Sequence, residues 1–397
     1  MLRRTLFALV VAYALAQGQE IRRPYVLLVS VDGFRYDYAA LHGAPNLTRF
    51  GKEGVRAEGL IPQYPSSTFP NHYSIATGLF PAHHGIVDNT FFDPARREVY
   101  RSNGLDGSWY GGTPLWVLAE QQGVRTASFF WVGSEAEIQG RRPREYRVFE
   151  DTLPNEERVR QVIDWFRRPE ALRPHLVTLY FSDVDHAGHD TGPKSAATKK
   201  AVQNIDALLG RLLEGLRTTG TPVNVFIVSD HGMIEAPPPI RVGAVTDFAG
   251  FEIPSLRGSQ IMLYSSDAAL ARSTVERVNR NATGYSAYLR EETPEAWHYR
   301  GNARVGDVVI AAAGSGVVAI DPANGQTGAG PKGFHGPDAA AVPEMRGIFY
   351  AGGPDLKSGV TIPAFQNVDI YPLIARLLKL KTGSVDGSLD TLQPILK

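Results

Sequence analysis

The run Tyr25-Val26-Leu27-Leu28-Val29-Ser30-Val31 is β-branched or apolar at nearly every position and stops at Asp32-Gly33. A strand wetted on one face alternates apolar and polar residues. An unbroken run therefore marks a strand covered on both faces, as in a parallel sheet between helices. Its last step delivers a carboxylate to the C-terminal edge of that sheet. The pattern recurs: Leu176 to Phe181 runs into Ser182-Asp183-Val184-Asp185, and Val223 to Val228 runs into Ser229-Asp230-His231-Gly232. Three strands thus end in Asp32, Asp185 and Asp230, and ligands of open α/β sheets gather beyond the carboxyl ends of the strands.

Helical signals separate these strands. Pro45 to Glu53 reads as a short helix closed by Gly54, and Thr113-Pro114-Leu115 to Gln122-Gly123 carries a cap, an early proline and a terminating glycine. Ala127 to Val132 reads as a further strand. Asn155 to Arg168 places Val159, Val162, Ile163 and Phe166 at helical spacing, and Lys199 to Arg217 does the same with Ile205, Leu208, Leu209, Leu212, Leu213 and Leu216. The expected fold is α/β, a mostly parallel central sheet flanked by helices. From Pro237 the texture changes to a proline run, shorter strand-like pieces such as Gln260 to Tyr264, and a glycine-rich loop from Gly325 to Gly336. Residues 237–330 are read as a smaller inserted subdomain capping a core made of 17–236 and 331–397, which Arg346 to Ala351 and a helix from Asp369 to Leu380 complete.

The chain has 397 residues, 43% hydrophobic and 21% charged, which suits one large globular core with an insertion. Its 41 basic and 41 acidic residues cancel, so no overall field attracts duplex nucleic acid or an anionic membrane surface, and phosphate affinity must be local. Met1-Leu2-Arg3-Arg4, the apolar run Leu6 to Leu15 and Ala14-Leu15-Ala16 read as an export signal over residues 1–16, giving a secreted or periplasmic protein. The competing reading is a retained anchor, although the run is too short to span a bilayer stably. With no cysteine, disulfides are excluded and metals are the remaining candidates for cross-links.

Metal-ligating residue types cluster at the same strand ends. Asp185 and His189 lie four apart, Asp230 and His231 are adjacent, and His335 sits between glycines in Gly333-Phe334-His335-Gly336. Oxygen and nitrogen donors without thiolate suit zinc, and also manganese or iron. One Asp-His pair is more often a hydrogen-bonded turn; several beside a hydroxyl-bearing loop make a site. That loop is Pro65-Ser66-Ser67-Thr68-Phe69-Pro70-Asn71-His72-Tyr73-Ser74-Ile75-Ala76-Thr77-Gly78, where Asn71 to Thr77 reads as the beginning of a helix, so that the Thr68 hydroxyl sits near backbone N–H groups and the positive end of the dipole.

Thr68 to Pro81, with His84-Gly85-Ile86 and Asp88-Asn89, resembles the nucleophile segment of the nucleotide pyrophosphatase/phosphodiesterase family of the alkaline phosphatase superfamily. The resemblance covers nearly the whole chain after residue 16 and is strongest from Asp32 to Asn89 and from Asp183 to His231. It implies an alkaline-phosphatase-like fold and a two-zinc phosphodiesterase or nucleotide pyrophosphatase. By similarity Asp185, His189 and His335 hold one zinc, and Asp32, Thr68, Asp230 and His231 hold the second. Thr68 is the implied nucleophile, and Asn89 contacts a phosphoryl oxygen. Phe69 and Phe149, the latter just before Pro154-Asn155-Glu156-Glu157-Arg158, are the implied faces of a slot for the nucleotide base; both could instead be core residues. Asp183, His186, His72, His83 and His84 match no ligand position and are read as supporting or packing residues. Two divalent ions about 4 Å apart would activate the Thr68 hydroxyl for in-line displacement, leaving a phosphothreonine that water then hydrolyses. The alternatives are a phosphomonoesterase or a phosphonate hydrolase of the same superfamily. Against the first, the segment Val132-Gly133-Ser134-Glu135-Ala136 lacks the lysine and arginine that grip a dianion.

Overall fold

The computed structural model of the chain describes residues 23–102, 104–280, 282–321 and 330–397. The segment read as an export signal, residues 1–16, lies outside them, and among the described residues no helix is long and apolar enough to cross a membrane.

An eight-stranded sheet forms the centre, its strands numbered in chain order as β1 (Tyr25–Val31), β2 (Val55–Ala57), β3 (Thr126–Phe129), β4 (Glu145–Arg147), β5 (Leu176–Phe181), β6 (Val223–Val228), β7 (Phe349–Gly352) and β8 (Val360–Ile362). Their spatial order is β8-β2-β7-β6-β1-β5-β3-β4, with β7 alone antiparallel to its neighbours. Every residue of β1, β5 and β6 is buried, as the unbroken apolar runs require. Side chains of β1 alternate between the two faces. Leu27, Val29 and Val31 join Leu208, Leu209 and Leu212 of the helix Ala196–Thr218, whereas Val26 and Leu28 join Leu373 and Ile374 of the helix Ile370–Leu377.

Register decides where the site falls. Val31 pairs with Phe181, and Ser30 with Val228, so the residues that follow these strands leave the sheet side by side. The chain emerging from β5 does not stay extended. It turns at Ser182 into the helix Asp183–Thr191, so Asp185 and His189 sit one turn apart on a helix rather than on a strand end. The strand expected over Ala127 to Val132 stops at Phe129, because Phe130 adopts a left-handed φ of 69° and turns the chain out of the sheet. Boundary shifts elsewhere are small. Pro114 stands outside the helix Leu115–Gln121 as its cap, and the long amphipathic helix begins at Ala196, where the Ser195 hydroxyl accepts from the Thr198 N–H.

In the stretch read as an insertion, Gln260–Leu263, Val308–Ala312 and Tyr285–Leu289 make an antiparallel sheet. Ile261, Leu263, Val308 and Ile310 face a local cluster with Ala271 and Val278 of the helix Ala268–Arg280, while Met262, Tyr264 and Val309 face the main core. This small sheet therefore rests on the core through one face. The chain returns through Gly333–Phe334, paired with Ile234–Glu235, and so brings His335 to the edge where β6 ends.

Candidate active site

Thr68 is the first residue of the helix Thr68–Thr77, with Ser67 extended before it. Its hydroxyl therefore faces the electropositive helix end. Thr68 Oγ1 lies 3.1 Å from His231 Nε2, which in turn lies 3.0 Å from Asp230 Oδ2 and 3.5 Å from Asp32 Oδ1. On the other side His189 Nε2 is 3.5 Å from Asp185 Oδ1 and 3.1 Å from His335 Nε2. The two groups adjoin, since the His335 ring stacks on that of His231 with centroids 3.7 Å apart.

Backbone carbonyls set the tautomers. His189 Nδ1 donates to Gly333 O at 2.9 Å, His335 Nδ1 to Ser66 O at 2.8 Å, and His231 Nδ1 to Gly232 O at 2.9 Å. Each ring then presents the lone pair of Nε2 inward, the arrangement of metal-ligating imidazoles. Two Nε2 lone pairs 3.1 Å apart repel unless a cation or proton lies between them.

The carboxylates lead to the same requirement. Asp32 Oδ1, Asp185 Oδ1 and Asp230 Oδ2 are buried without a hydrogen-bond partner. Burial, and after it the charges of Asp230 and Asp185, push the Asp32 carboxyl well above the usual range. Burial also raises Asp185, against the pull of His189 and His231. Asp230 goes the other way, because His231 and His72 outweigh its burial. Burial, then His231 and His189, hold the His335 imidazole well below its ordinary value. Three buried carboxylates beside three imidazoles, each with Nδ1 on a backbone carbonyl, fit divalent cations of the zinc type. Asp185, His189 and His335 have ligand atoms within 4.8 Å of one another, as do Asp32, Asp185 and His231.

His72 reaches the same cluster but is already committed. Its Nε2 is 2.8 Å from Ser30 Oγ, and its Nδ1 is 3.0 Å from Thr68 O and 3.3 Å from Asp230 Oδ2. It fixes the nucleophile segment against Asp230. Asp183 accepts from Asn155 Nδ2, His83 pairs with Asp386, His84 bonds Ser74, and His186 lies near Asp151. Tyr180 was invisible in the sequence as a site residue, yet its hydroxyl donates to Asp32 Oδ2 at 2.6 Å. A tyrosine in the penultimate place of a fully buried strand was the one available signal, because a buried phenol needs a partner.

Over this floor opens a cavity of about 490 Å³. Asn89 lines it; its Oδ1 accepts from the Phe69 N–H at 2.8 Å, which leaves the amide Nδ2 as a donor toward the floor. Phe69, Phe130, Phe149, Tyr180, Val132 and Leu105 supply the apolar wall. Phe149 is 44% exposed and meets Phe130 and Tyr180 edge-on at 5.3 and 6.0 Å, so it is no core residue. Phe69 is half-buried against Tyr100. Of the segment that lacks lysine and arginine, Val132, Gly133, Glu135 and Ala136 line the cavity, whereas Ser134 is buried and its hydroxyl accepts from that of Ser128. Among the described residues no lysine or arginine lines this cavity.

A sequence model of the type I phosphodiesterase / nucleotide pyrophosphatase family matches residues 26–338. Human ectonucleotide pyrophosphatase/phosphodiesterase family member 1 is 32% identical over 94% of this chain, and the venom phosphodiesterase of Naja atra is 33% identical, also over 94%. The chain spans less than half the length of these two relatives, 42% and 46%. It covers 81% of a pyrophosphatase/phosphodiesterase of Schizosaccharomyces pombe at 32% identity. The solved structure of murine ectonucleotide pyrophosphatase / phosphodiesterase 5 superposes with a TM-score of 0.87 at 28% identity, over 94% of this chain and 100% of that one. An inactive threonine-to-alanine variant of that murine protein, in complex with AMP, superposes at 0.84.

Proposed function

This chain belongs to the type I phosphodiesterase / nucleotide pyrophosphatase family, and on that premise we propose that it is an exported, metal-dependent hydrolase of nucleotide phosphodiester or phosphoanhydride bonds. In this reading residues 17–236 and 331–397 form the catalytic core and 237–330 the cap. Asp185, His189 and His335 would hold one zinc ion, and Asp32, Thr68, Asp230 and His231 the other. When bound, the two cations neutralise the buried carboxylates, acidify the Thr68 hydroxyl and offset charge on the phosphoryl oxygens. Other divalent transition metals suit the same donors.

Thr68 Oγ1 attacks phosphorus in line, the bond to the leaving oxygen breaks, and a phosphothreonine results. Asn89 Nδ2 donates to a non-bridging phosphoryl oxygen, and the N-terminus of the Thr68 helix adds its dipole. Water then attacks the phosphothreonine, the phosphorus–Oγ1 bond breaks, and a nucleoside monophosphate leaves. Phe69 and Phe149 receive the base between them; a nucleotide ligand accords with the murine neighbour solved in complex with AMP. The chief support is the juxtaposition of three buried carboxylate oxygens without a hydrogen-bond partner, three inward Nε2 lone pairs and one hydroxyl at a helix N-terminus. The absence of lysine and arginine from the cavity favours a singly charged diester over a monoester dianion. The test is a panel of an aryl nucleotide diester, a nucleoside triphosphate, a dinucleotide polyphosphate, an aryl monoester and a phosphonate, turned over by zinc-reconstituted protein. The diester should lead the monoester clearly; equal or faster monoester hydrolysis would transfer the chain to the phosphatase reading.

A further inference from the structure

The central sheet has a second edge, and its charge is the opposite of the catalytic one. At the amino ends of β1, β3, β5 and β6, beside Tyr25, Arg125, His175 and Pro222, lies a cavity of about 1000 Å³. β1 is seven residues long, so at about 3.3 Å per residue this cavity stands about 20 Å from the acids of the floor. Arg23, Arg125, Arg144 and Arg173 line it, and Glu170 is the one acid among its lining residues.

Among the described residues these guanidiniums are short of carboxylates. Arg23 Nε is buried with no hydrogen-bond partner. Arg125 Nη2 reaches the Ala171 carbonyl at 3.5 Å, a long contact. Arg173 donates through Nε to Arg168 O and through Nη1 to the Tyr25 hydroxyl, both uncharged. Arg144 does meet an acid, Glu120 at 3.4 Å, from a side chain 54% exposed. Glu145 is already bound by Arg168 and by the Trp165 indole. His175 registers the same field, since burial and the Arg23 charge hold its imidazole below its ordinary value against the pull of the Pro24 carbonyl. Guanidiniums gathered without acids repel one another, and an anion between them relieves that repulsion.

We propose that this cavity is a second, non-catalytic site, which binds a linear chain of phosphate groups. Each arginine fork matches two oxygens of one phosphate, so several forks around one cavity call for several phosphates on one ligand. Charge, and not a base, identifies that ligand. Tyr25 is 6% exposed, with the His175 ring stacked on it at 4.6 Å and the Arg173 guanidinium 5.0 Å from its centroid, so it offers no open face for stacking. An inorganic polyphosphate and the tail of a nucleoside triphosphate share this chemistry. The site stands apart from the function proposed above, because none of its lining residues belongs to the catalytic floor or to the aromatic cavity.

The experiment titrates tripolyphosphate by calorimetry into wild type, Arg125→Gln/Arg144→Gln and Glu170→Gln. In the double variant one binding event should weaken about tenfold or more, while kcat/KM on an aryl nucleotide diester stays within about twofold of wild type. Glu170→Gln, which removes the opposing charge, should tighten the same event. Metal-free and zinc-loaded protein should show it alike; an event seen with zinc alone belongs to the floor and overturns the site. Inorganic phosphate should bind there about tenfold more weakly than the chain of three. The nucleotide arm is α,β-methylene ATP, which should bind there no tighter than tripolyphosphate; a gain of about tenfold would mean that a base is read and would overturn the assignment. Tripolyphosphate binding unchanged in both variants overturns it outright. If the double variant loses its melting temperature along with its affinity, Glu170→Gln decides, and no tightening there overturns the site.

Discussion

The floor and the rim of the aromatic cavity are made in opposite ways. On the floor Asp32, Asp185, Asp230 and His231 are at most 7% exposed, and the imidazoles of His189, His231 and His335 are each pinned by a backbone carbonyl. On the rim Leu105, Val148 and Phe149 are 44–56% exposed and come from connections outside the sheet. Burial on the floor raises the electrostatic stakes and fixes geometry, which the chemical step needs. Exposure on the rim leaves apolar surface for a base to cover, which tolerant stacking needs. The chemistry should therefore fail abruptly when the floor changes, and recognition gradually when the rim changes.

The sharpest way to break this contrast is Thr68→Ala, which should lose roughly three orders of magnitude or more in kcat while keeping its metal content. Thr68→Ser should retain part of the rate. Wild-type turnover by the alanine variant would make water the direct nucleophile. Next in size, chelation should abolish activity and zinc restore it. Asp185→Ala or His335→Ala should cost one metal and Asp32→Ala the other, read by elemental analysis; full occupancy in any of the three would merge the two ligand groups.

A finer test uses the floor's charge. Because the Asp32 carboxyl is raised by burial and by Asp230 and Asp185, it gives up its proton only at a higher pH than an ordinary carboxyl, and a bound cation must displace that proton wherever it is still held. Metal affinity should then climb with pH until that group is ionised, with proton release on metal uptake over the same range. Calorimetry in two buffers of different ionisation enthalpy reads this directly, and identical heats would place the proton elsewhere. Smallest are the rim effects. Phe69→Ala and Phe149→Ala should each cost on the order of 1–3 kcal/mol on nucleotide substrates, and much less on small aryl diesters. Equal losses on both substrate types would turn the slot into mere packing.

By itself the sequence determined the sheet and the acids at its edge. Mostly apolar runs report burial on both faces, and Asp32 follows its run directly, Asp230 after one residue and Asp185 after three. It also placed a helix over Asn71 to Thr77 beside the Thr68 hydroxyl, although the helix in fact begins three residues earlier, at Thr68 itself. The helix Asp183–Thr191 was not legible because its nine residues carry almost no apolar stripe; its tertiary setting, not its periodicity, makes it a helix. The turn at Phe130 and the exposure of Phe149 were equally hidden, since no window of sequence says whether an aromatic faces a core or a cavity. Only the tertiary structure stacked His335 on His231 across 104 positions and set the Tyr180 hydroxyl on Asp32. Local patterns record whether a residue is buried. Which distant residue it meets depends on strand order and loop closure, and those are decided by how the whole chain packs.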